Sequence, residues 1–249
     1  VPKVFLHLSN VPLWLFPTLS FAIHLPVTAL VIVVPSSYFQ QPSLIAFHHP
    51  LFSLSYRQSP DPNLHEFTLR FRNGKYFLLH IVPGGKERYH SVWNGLQRIC
   101  QIAHEKRSHL TVWIHDAARP FLIPEVIKTM ENQRNQEPSM AYFPKLPVSD
   151  TLRRKQEETS ITVPRREYFL VQTPQIFPFP PLFSAYSIET AFADVTDDLM
   201  VFERNQGKVT PVPGTPFLFK ITFPEDYQLA SAFAPTFWNQ HIVPYLRNE

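Results

Sequence analysis

Apolar and polar positions along this chain follow two rhythms. Short runs rich in β-branched and aromatic residues, bounded by proline, glycine or charged residues, occupy 28–34, 76–82, 110–114 and 139–143 and predict strands. Between the second and third, Val92, Leu96, Ile99 and Ala103 recur at three- and four-residue spacings, which predicts a helix over 90–104. Another helix is predicted over 124–133, opened by Pro124, whose fixed φ and missing N–H suit a first helical turn. Strands alternating with helices need crossover connections, so the pattern predicts an α/β fold with a mainly parallel sheet flanked by helices.

Composition narrows the possibilities. The 249 residues can bury one large core, and their number is compatible with one α/β domain or two small ones. Twenty-six prolines and 22 phenylalanines imply many interrupted elements packed by aromatic bulk. Lys plus Arg number 23 against 20 for Asp plus Glu; a formal charge of +3 without a basic stripe argues against a nucleic-acid partner, whereas a small anion needs only a local cluster. The apolar run 29–34 is too short to span a bilayer, so a soluble protein with no membrane partner is expected. A single cysteine, Cys100, excludes an internal disulfide or a cysteine metal cage and fits a reducing, cytoplasmic setting.

The densest chemistry follows the run 110–114. His115-Asp116-Ala117-Ala118-Arg119-Pro120 places an acid and a guanidinium at a strand's carboxyl edge, where open α/β sheets bind ligands, and the two alanines leave room for a substrate near the backbone. Taken alone, Asp116 reads equally as an ordinary turn acid, and His115 as a pin for the strand edge. Lys220, between Phe217-Leu218-Phe219 and Ile221, is a lone charge interrupting what reads as a buried strand, so it needs a partner or ligand. Gly84 and Gly85 let a backbone approach a ligand or simply make a tight turn. Ser91 lacks the Gly-x-Ser-x-Gly setting of a hydrolase nucleophile, and His48-His49 lacks the companions of a zinc site.

Several further segments share an order with these. Pro2-Lys3-Val4-Phe5-Leu6 opens the chain, and Gly84-Gly85-Lys86-Glu87-Arg88 is followed by Ser91-Val92 and Asn94-Gly95-Leu96. After the His115 motif come Pro147-Val148-Ser149-Asp150-Thr151-Leu152, Gln172-Thr173-Pro174-Gln175-Ile176-Phe177, Val195-Thr196-Asp197-Asp198 and Lys220-Ile221-Thr222-Phe223-Pro224-Glu225-Asp226. The ordered suite resembles the cytidylyltransferases that activate methylerythritol phosphate in non-mevalonate isoprenoid synthesis. Val4, Leu218 and Pro164 depart from that family's usual glutamine, asparagine and aspartate.

The resemblance implies a single Rossmann-like domain of nucleotidyltransferase type over 1–249. Within it, 38–75, punctuated by Pro42, Pro50, Pro60, Pro62 and Gly74, is expected to be a surface insertion. Residues 146–172, with Arg153-Arg154-Lys155 and Ile161-Thr162-Val163, are expected to form a protruding dimerisation arm, which implies a homodimer with composite active sites. The family also has an opening strand and a Gly-x-Gly-x-Arg loop before its Pro-Lys pair; neither is in this sequence. Two alternatives stand: such residues precede Val1, or the loop is lost and the protein acts by interaction alone.

The reaction implied is magnesium-dependent transfer of cytidylyl from CTP to 2-C-methyl-D-erythritol 4-phosphate with release of pyrophosphate. Both partners are anions and the phosphate nucleophile is already ionised, so cations and positioning matter more than a strong base. By resemblance, Lys3 and Lys220 are the catalytic cations, and Gly84, Gly85 and Ser91 hold the nucleotide. Thr151, Arg165 and Arg119 approach the acceptor's phosphate, an arginine fork suiting paired bonds to it; Thr173 and Thr196 line the polyol side. Counting eight positions back from Thr173 selects Arg165 over Arg166. Asp116 accepts hydrogen bonds from the polyol hydroxyls or, as the lesser role, helps hold Mg2+, which the nucleotide phosphates chiefly carry. The related ribitol-phosphate cytidylyltransferases share much of the suite but tend to have valine where this chain has Ala118, which favours methylerythritol phosphate.

Overall fold

The structure, a computed structural model, describes residues 3–42, 45, 47–103, 108–188 and 195–247. Pro2 of the opening motif and His104 at the end of the predicted helix lie outside them. The chain enters through a 3-10 turn (Lys3–Phe5), strands β1 (His7–Leu8) and β2 (Val11–Pro12), and helix α1 (Leu15–His24). Then come β3 (Leu30–Val34), α2 (Ser36–Phe39), β4 (Phe47–His49), β5 (Phe52–Gln58), β6 (His65–Phe71), β7 (Tyr76–Pro83) and α3 (Arg88–Ala103). The middle of the chain supplies β8 (Thr111–Ile114), α4 (Pro124–Gln136), β9 (Ala141–Pro147), β10 (Leu152–Gln156), β11 (Thr159–Val163), β12 (Phe169–Val171) and β13 (Gln175–Pro178). It ends with α5 (Phe179–Ile188), α6 (Asp198–Arg204), β14 (Val209–Pro213), α7 (Pro224–His241) and α8 (Val243–Leu246).

The four predicted strands and two predicted helices are present, but the sheet is mixed rather than mainly parallel. One five-stranded sheet runs β3-β7-β6-β5-β4, and a second contains β12, β9, β13 and β8 with β14 on the far edge of β9. Among the described residues, parallel pairing is confined to β3 with β7 and β9 with β14. The correction comes from connection length. Turns as short as Pro50-Leu51 cannot carry a crossover, so β4, β5, β6 and β7 return as antiparallel hairpins. Gly74 takes φ 84° in the β6–β7 turn, a left-handed geometry that glycine adopts without a Cβ penalty.

The stretch 38–75 therefore extends the first sheet. Phe52 and Leu54 on β5 alternate with outward residues, as do Phe67, Leu69 and Phe71 on β6, and the inward set is buried with Trp14, Phe16, Phe237 and Trp238. A second core packs Leu96 of α3 with Phe177, Phe179 and Phe202. Aromatic bulk thus fills spaces that short, proline-interrupted elements leave open. β10 and β11 form a hairpin of their own, paired from Leu152 with Val163 to Gln156 with Thr159, and it is mostly exposed.

β3 and β8 are the end strands of their sheets, and a groove of about 580 Å³ separates them. Leu30, Val31 and Ile32 line one side and Thr111, Val112 and Trp113 the other, with Trp14 and Phe21 contributing to the lining. The indole N–H of Trp14 is buried there without a hydrogen-bond partner. No helix among the described residues is long and apolar enough to cross a membrane.

Candidate active site

The loop after β8 is built from the inside of the motif outward. Asp116 carbonyl accepts the Arg119 amide at 2.9 Å, closing a turn. His115 Nε2 donates to the Arg119 carbonyl at 2.9 Å, and its Nδ1 lies 3.1 Å from Thr173 Oγ1. A carbonyl can only accept, so Nε2 carries the proton; burial drives the His115 pKa down to about 4, and the neutral ring then accepts from the Thr173 hydroxyl at Nδ1. The Thr173 oxygen in turn accepts the Asp116 amide at 3.0 Å. His115 and Thr173 thus fix the backbone on which the Asp116 carboxylate stands, so the pinning role open to His115 is the one its contacts describe. Thr173 does the same from the link between β12 and β13, its hydroxyl turned to the motif.

Asp116 faces cations from three segments. Lys220 Nζ donates to Oδ2 at 2.9 Å, Arg88 Nε stands 3.5 Å from Oδ1, and Arg119 Nε 3.8 Å from Oδ2. Burial pushes this carboxyl up, but Arg88 and Lys220 outweigh it and hold the pKa at about 2. Arg119 also donates from Nη1 to the Leu218 carbonyl at 2.6 Å, and the Ile221 amide donates to the Ala118 carbonyl at 2.9 Å. These two bonds lash the segment carrying Lys220 to the motif. That segment is not the strand the sequence predicts. Pro216 supplies no N–H for a ladder; Thr215 caps a 3-10 turn (Pro216–Leu218), and Leu218 and Ile221 are buried individually.

Arg88, the first residue of α3, completes the cluster. Its Nη1 and Nη2 donate to Asp198 Oδ1 and Oδ2 at 3.0 and 2.7 Å, and Tyr186 Oη donates to the same Oδ1 at 2.6 Å. Asp198 has no solvent exposure, so this forked pair and the phenol supply what water would. Burial works against the Arg88 charge, but Asp198 and Asp116 raise its pKa. Three cations (Arg88, Arg119, Lys220) against two carboxylates (Asp116, Asp198) leave one positive charge in excess. Arg88, Tyr186 and Asp198 are not among the site residues to which the sequence points. Arg88 and Asp198 each sit inside a resembling segment, which was the available signal; Tyr186 sits on a helix with no motif.

The glycine pair lies just ahead of Arg88. Gly84 N donates to the Val34 carbonyl at 2.6 Å, Ser36 Oγ donates to the Gly84 carbonyl at 2.9 Å, and Gly85 N donates to Ser91 Oγ at 3.1 Å. A Cβ on Gly85 would fall 2.1 Å from that of His90, so the turn admits no side chain. Lys3 joins from the opening 3-10 turn: two backbone amides, from Phe223 and Thr222, hold Asp226 below the usual carboxylate range, and the Lys3 charge adds to them. Thr222 Oγ1 also donates to the Lys220 carbonyl at 3.3 Å. Thr196 is exposed just before Asp197, whose Oδ1 accepts the Met200 amide at 3.1 Å and caps α6. Thr151 and Arg165 are exposed beside the β10–β11 hairpin, where Arg165 Nη1 donates to the Ser149 carbonyl; among the described residues no hydrogen bond or ion pair joins either to the Asp116 cluster.

The donor set does not suit a magnesium ion held by the protein. Asp116 already has Lys220 on one oxygen and Arg88 near the other, and among the described residues no three His, Cys, Asp or Glu side chains gather as a metal site.

Comparison with known proteins places these features in a wider group. A family model described as IspD: 2-C-methyl-D-erythritol 4-phosphate cytidylyltransferase matches residues 70–235. The chain is similar to the bifunctional enzyme IspD/IspF of Bartonella tribocorum, 30% identical over 236 residues that cover 94% of this chain and 51% of that one, so it spans about half the length of that relative. It is 38% identical to the 2-C-methyl-D-erythritol 4-phosphate cytidylyltransferase of Saccharopolyspora erythraea over 156 residues, 62% of this chain and 67% of the other. Among solved structures, the 2-C-methyl-D-erythritol 4-phosphate cytidylyltransferase of Thermus thermophilus is similar over 94% of both chains with a TM-score of 0.66 and 26% identity.

Proposed function

Because the chain belongs to the 2-C-methyl-D-erythritol 4-phosphate cytidylyltransferase family, we propose that it transfers cytidylyl from CTP to 2-C-methyl-D-erythritol 4-phosphate. A phosphate oxygen of the acceptor attacks the α-phosphorus of CTP; the new P–O bond forms as the bond to the β-phosphate oxygen breaks, and pyrophosphate leaves with the electron pair. The observation that carries this reading is the excess of positive charge around Asp116 at the carboxyl edge of β8. Two anions must meet there, and fixed cations oppose their repulsion and the charge growing on the leaving group. Lys220, whose side chain is partly exposed, reaches the transferring phosphate, and Lys3 meets the nucleotide's phosphates.

Gly84, Gly85 and Ser91 take the cytosine side. Asp116 accepts from the polyol hydroxyls, and Thr173 and Thr196 line that side. Arg119 has a buried Nε without a hydrogen-bond partner, a donor suited to the acceptor's phosphate. Thr151 and Arg165 reach the acceptor from the arm of a second copy in a homodimer. Consistent with that assembly, Phe169, Leu170 and Val171 form an exposed apolar edge strand beside the hairpin, an unusual surface for a lone chain.

Side-by-side turnover with the two acceptors tests the function. CTP with methylerythritol phosphate is expected to give the cytidine diphosphate product and pyrophosphate in preference to ribitol 5-phosphate. Clear preference for ribitol phosphate would overturn the acceptor assignment, and nucleotide-independent binding of another protein without turnover would favour an interaction role.

A further inference from the structure

We propose that Arg88 is the positioning residue that holds Asp116 in place for the acceptor when Lys220 leaves it for the transferring phosphate; this rests on the cytidylyltransferase reading. Lys220 and Arg88 share the Asp116 carboxylate, one on each oxygen, with Arg119 Nε farther off at 3.8 Å from Oδ2. The two cations are held very differently. Lys220 is 41% exposed on a flexible stem and can swing to a phosphate, whereas Arg88 is clamped through both terminal nitrogens by a fully buried Asp198 that also accepts from Tyr186. When Lys220 moves, Asp116 is 17% exposed and would be left as a mostly buried charge. Arg88 Nε remains beside it. A guanidinium can serve both carboxylates at once because its end pair takes Asp198 and its Nε points elsewhere; a lysine ammonium on a flexible stem has no such fixed fork.

The same residue begins α3, three positions after Gly85, whose amide donates to Ser91 Oγ one turn into that helix. Arg88 therefore connects the glycine turn on the nucleotide side with Asp116 on the acceptor side through one rigid element. Its influence is on the placement of Asp116, and the quantity it governs is use of the acceptor.

The test compares steady-state kinetics of the full-length wild type with Arg88→Lys and with the double variant Arg88→Gln/Asp198→Asn, which removes both buried charges together so that no unpaired ion threatens folding. In either folded variant the acceptor KM is expected to rise about tenfold or more while the CTP KM changes by less than about twofold. Tyr186→Phe, which keeps Arg88 and loosens its clamp, is expected to shift the acceptor KM in the same direction by a smaller factor. A purely structural role would lower Tm and the active fraction, hence apparent kcat, and leave both KM values alone; that outcome overturns the proposal. A wild type without cytidylyl transfer would overturn the function and this inference with it, whereas wild-type turnover with unchanged acceptor KM in the variants overturns the inference alone.

Discussion

Acidification from about pH 8 to about pH 5 should destabilise the protein through His115. The ring is buried and neutral, with a pKa of about 4 against an ordinary 6.5. Between those two values the unfolded chain binds a proton that the folded chain refuses, so stability is complete above the unfolded pKa and falls as pH drops through the window. At about pH 5 the chain is roughly 1.5 pH units into that window, which at about 1.4 kcal/mol per unit amounts to a loss of about 2 kcal/mol. Asp116 does not confuse the measurement. Its pKa is held at about 2 against 3.8, so the stability it contributes is present above 3.8 and is lost only as pH falls further, toward 2. Other histidines with lowered pKa values, His24, His49 and His80, do contribute in the same range, so the assay needs a difference. His115→Gln keeps a side-chain donor for the Arg119 carbonyl and removes the titration. Urea unfolding of both proteins at the two pH values should show the wild type losing about 2 kcal/mol more than the variant. Equal losses would mean that His115 is not held neutral by its site, and the tautomer assigned to it would fall too.

Asp198→Ala removes the shared acceptor of Arg88 and Tyr186 and should cost about 3 kcal/mol, the low end for a broken buried pair because Arg88 retains some access to water; denaturant unfolding measures it. Gly85→Ala forces a Cβ against His90 and should cost about 1–3 kcal/mol together with a loss of CTP affinity, read by thermal unfolding and calorimetry. Deleting 153–162 removes a hairpin outside both sheets, so the core should stay folded and bind CTP while dimer mass and acceptor saturation fall together; an unchanged dimer with normal saturation would mark the hairpin as a solvated appendage.

Elements carried by local periodicity were legible in the sequence. The 92, 96, 99, 103 spacing of α3 and the β-branched run of β3 say what they are because one face or both must be buried. Pairing direction was not, since it depends on connections: the prolines in 38–75 point to a surface insertion, and Phe52, Leu54, Phe67, Leu69 and Phe71 alternate onto a core face that only the assembled sheet defines. The Phe217–Ile221 stretch misled for a related reason, as burial of Leu218 and Ile221 needs no strand. At the site, Asp116 and Lys220 were named separately from their motifs, and the structure brings them to 2.9 Å across 104 residues. Arg88 and Asp198, 110 residues apart, were hidden because neither segment carries a sign of its partner; a buried aspartate declares itself only when the cation that neutralises it is found in space.

The most direct measurement is the acceptor-saturated rate of pyrophosphate release by full-length Lys220→Gln. The Lys220 side chain is partly exposed and Asp116 keeps Arg88, so the variant should melt like the wild type. If the cluster around Asp116 is where cytidylyl is transferred, kcat should fall by about 10²–10³, the size expected on losing one charge-stabilising donor in the transition state. A folded Lys220→Gln protein turning over within about threefold of wild type would place the chemistry elsewhere.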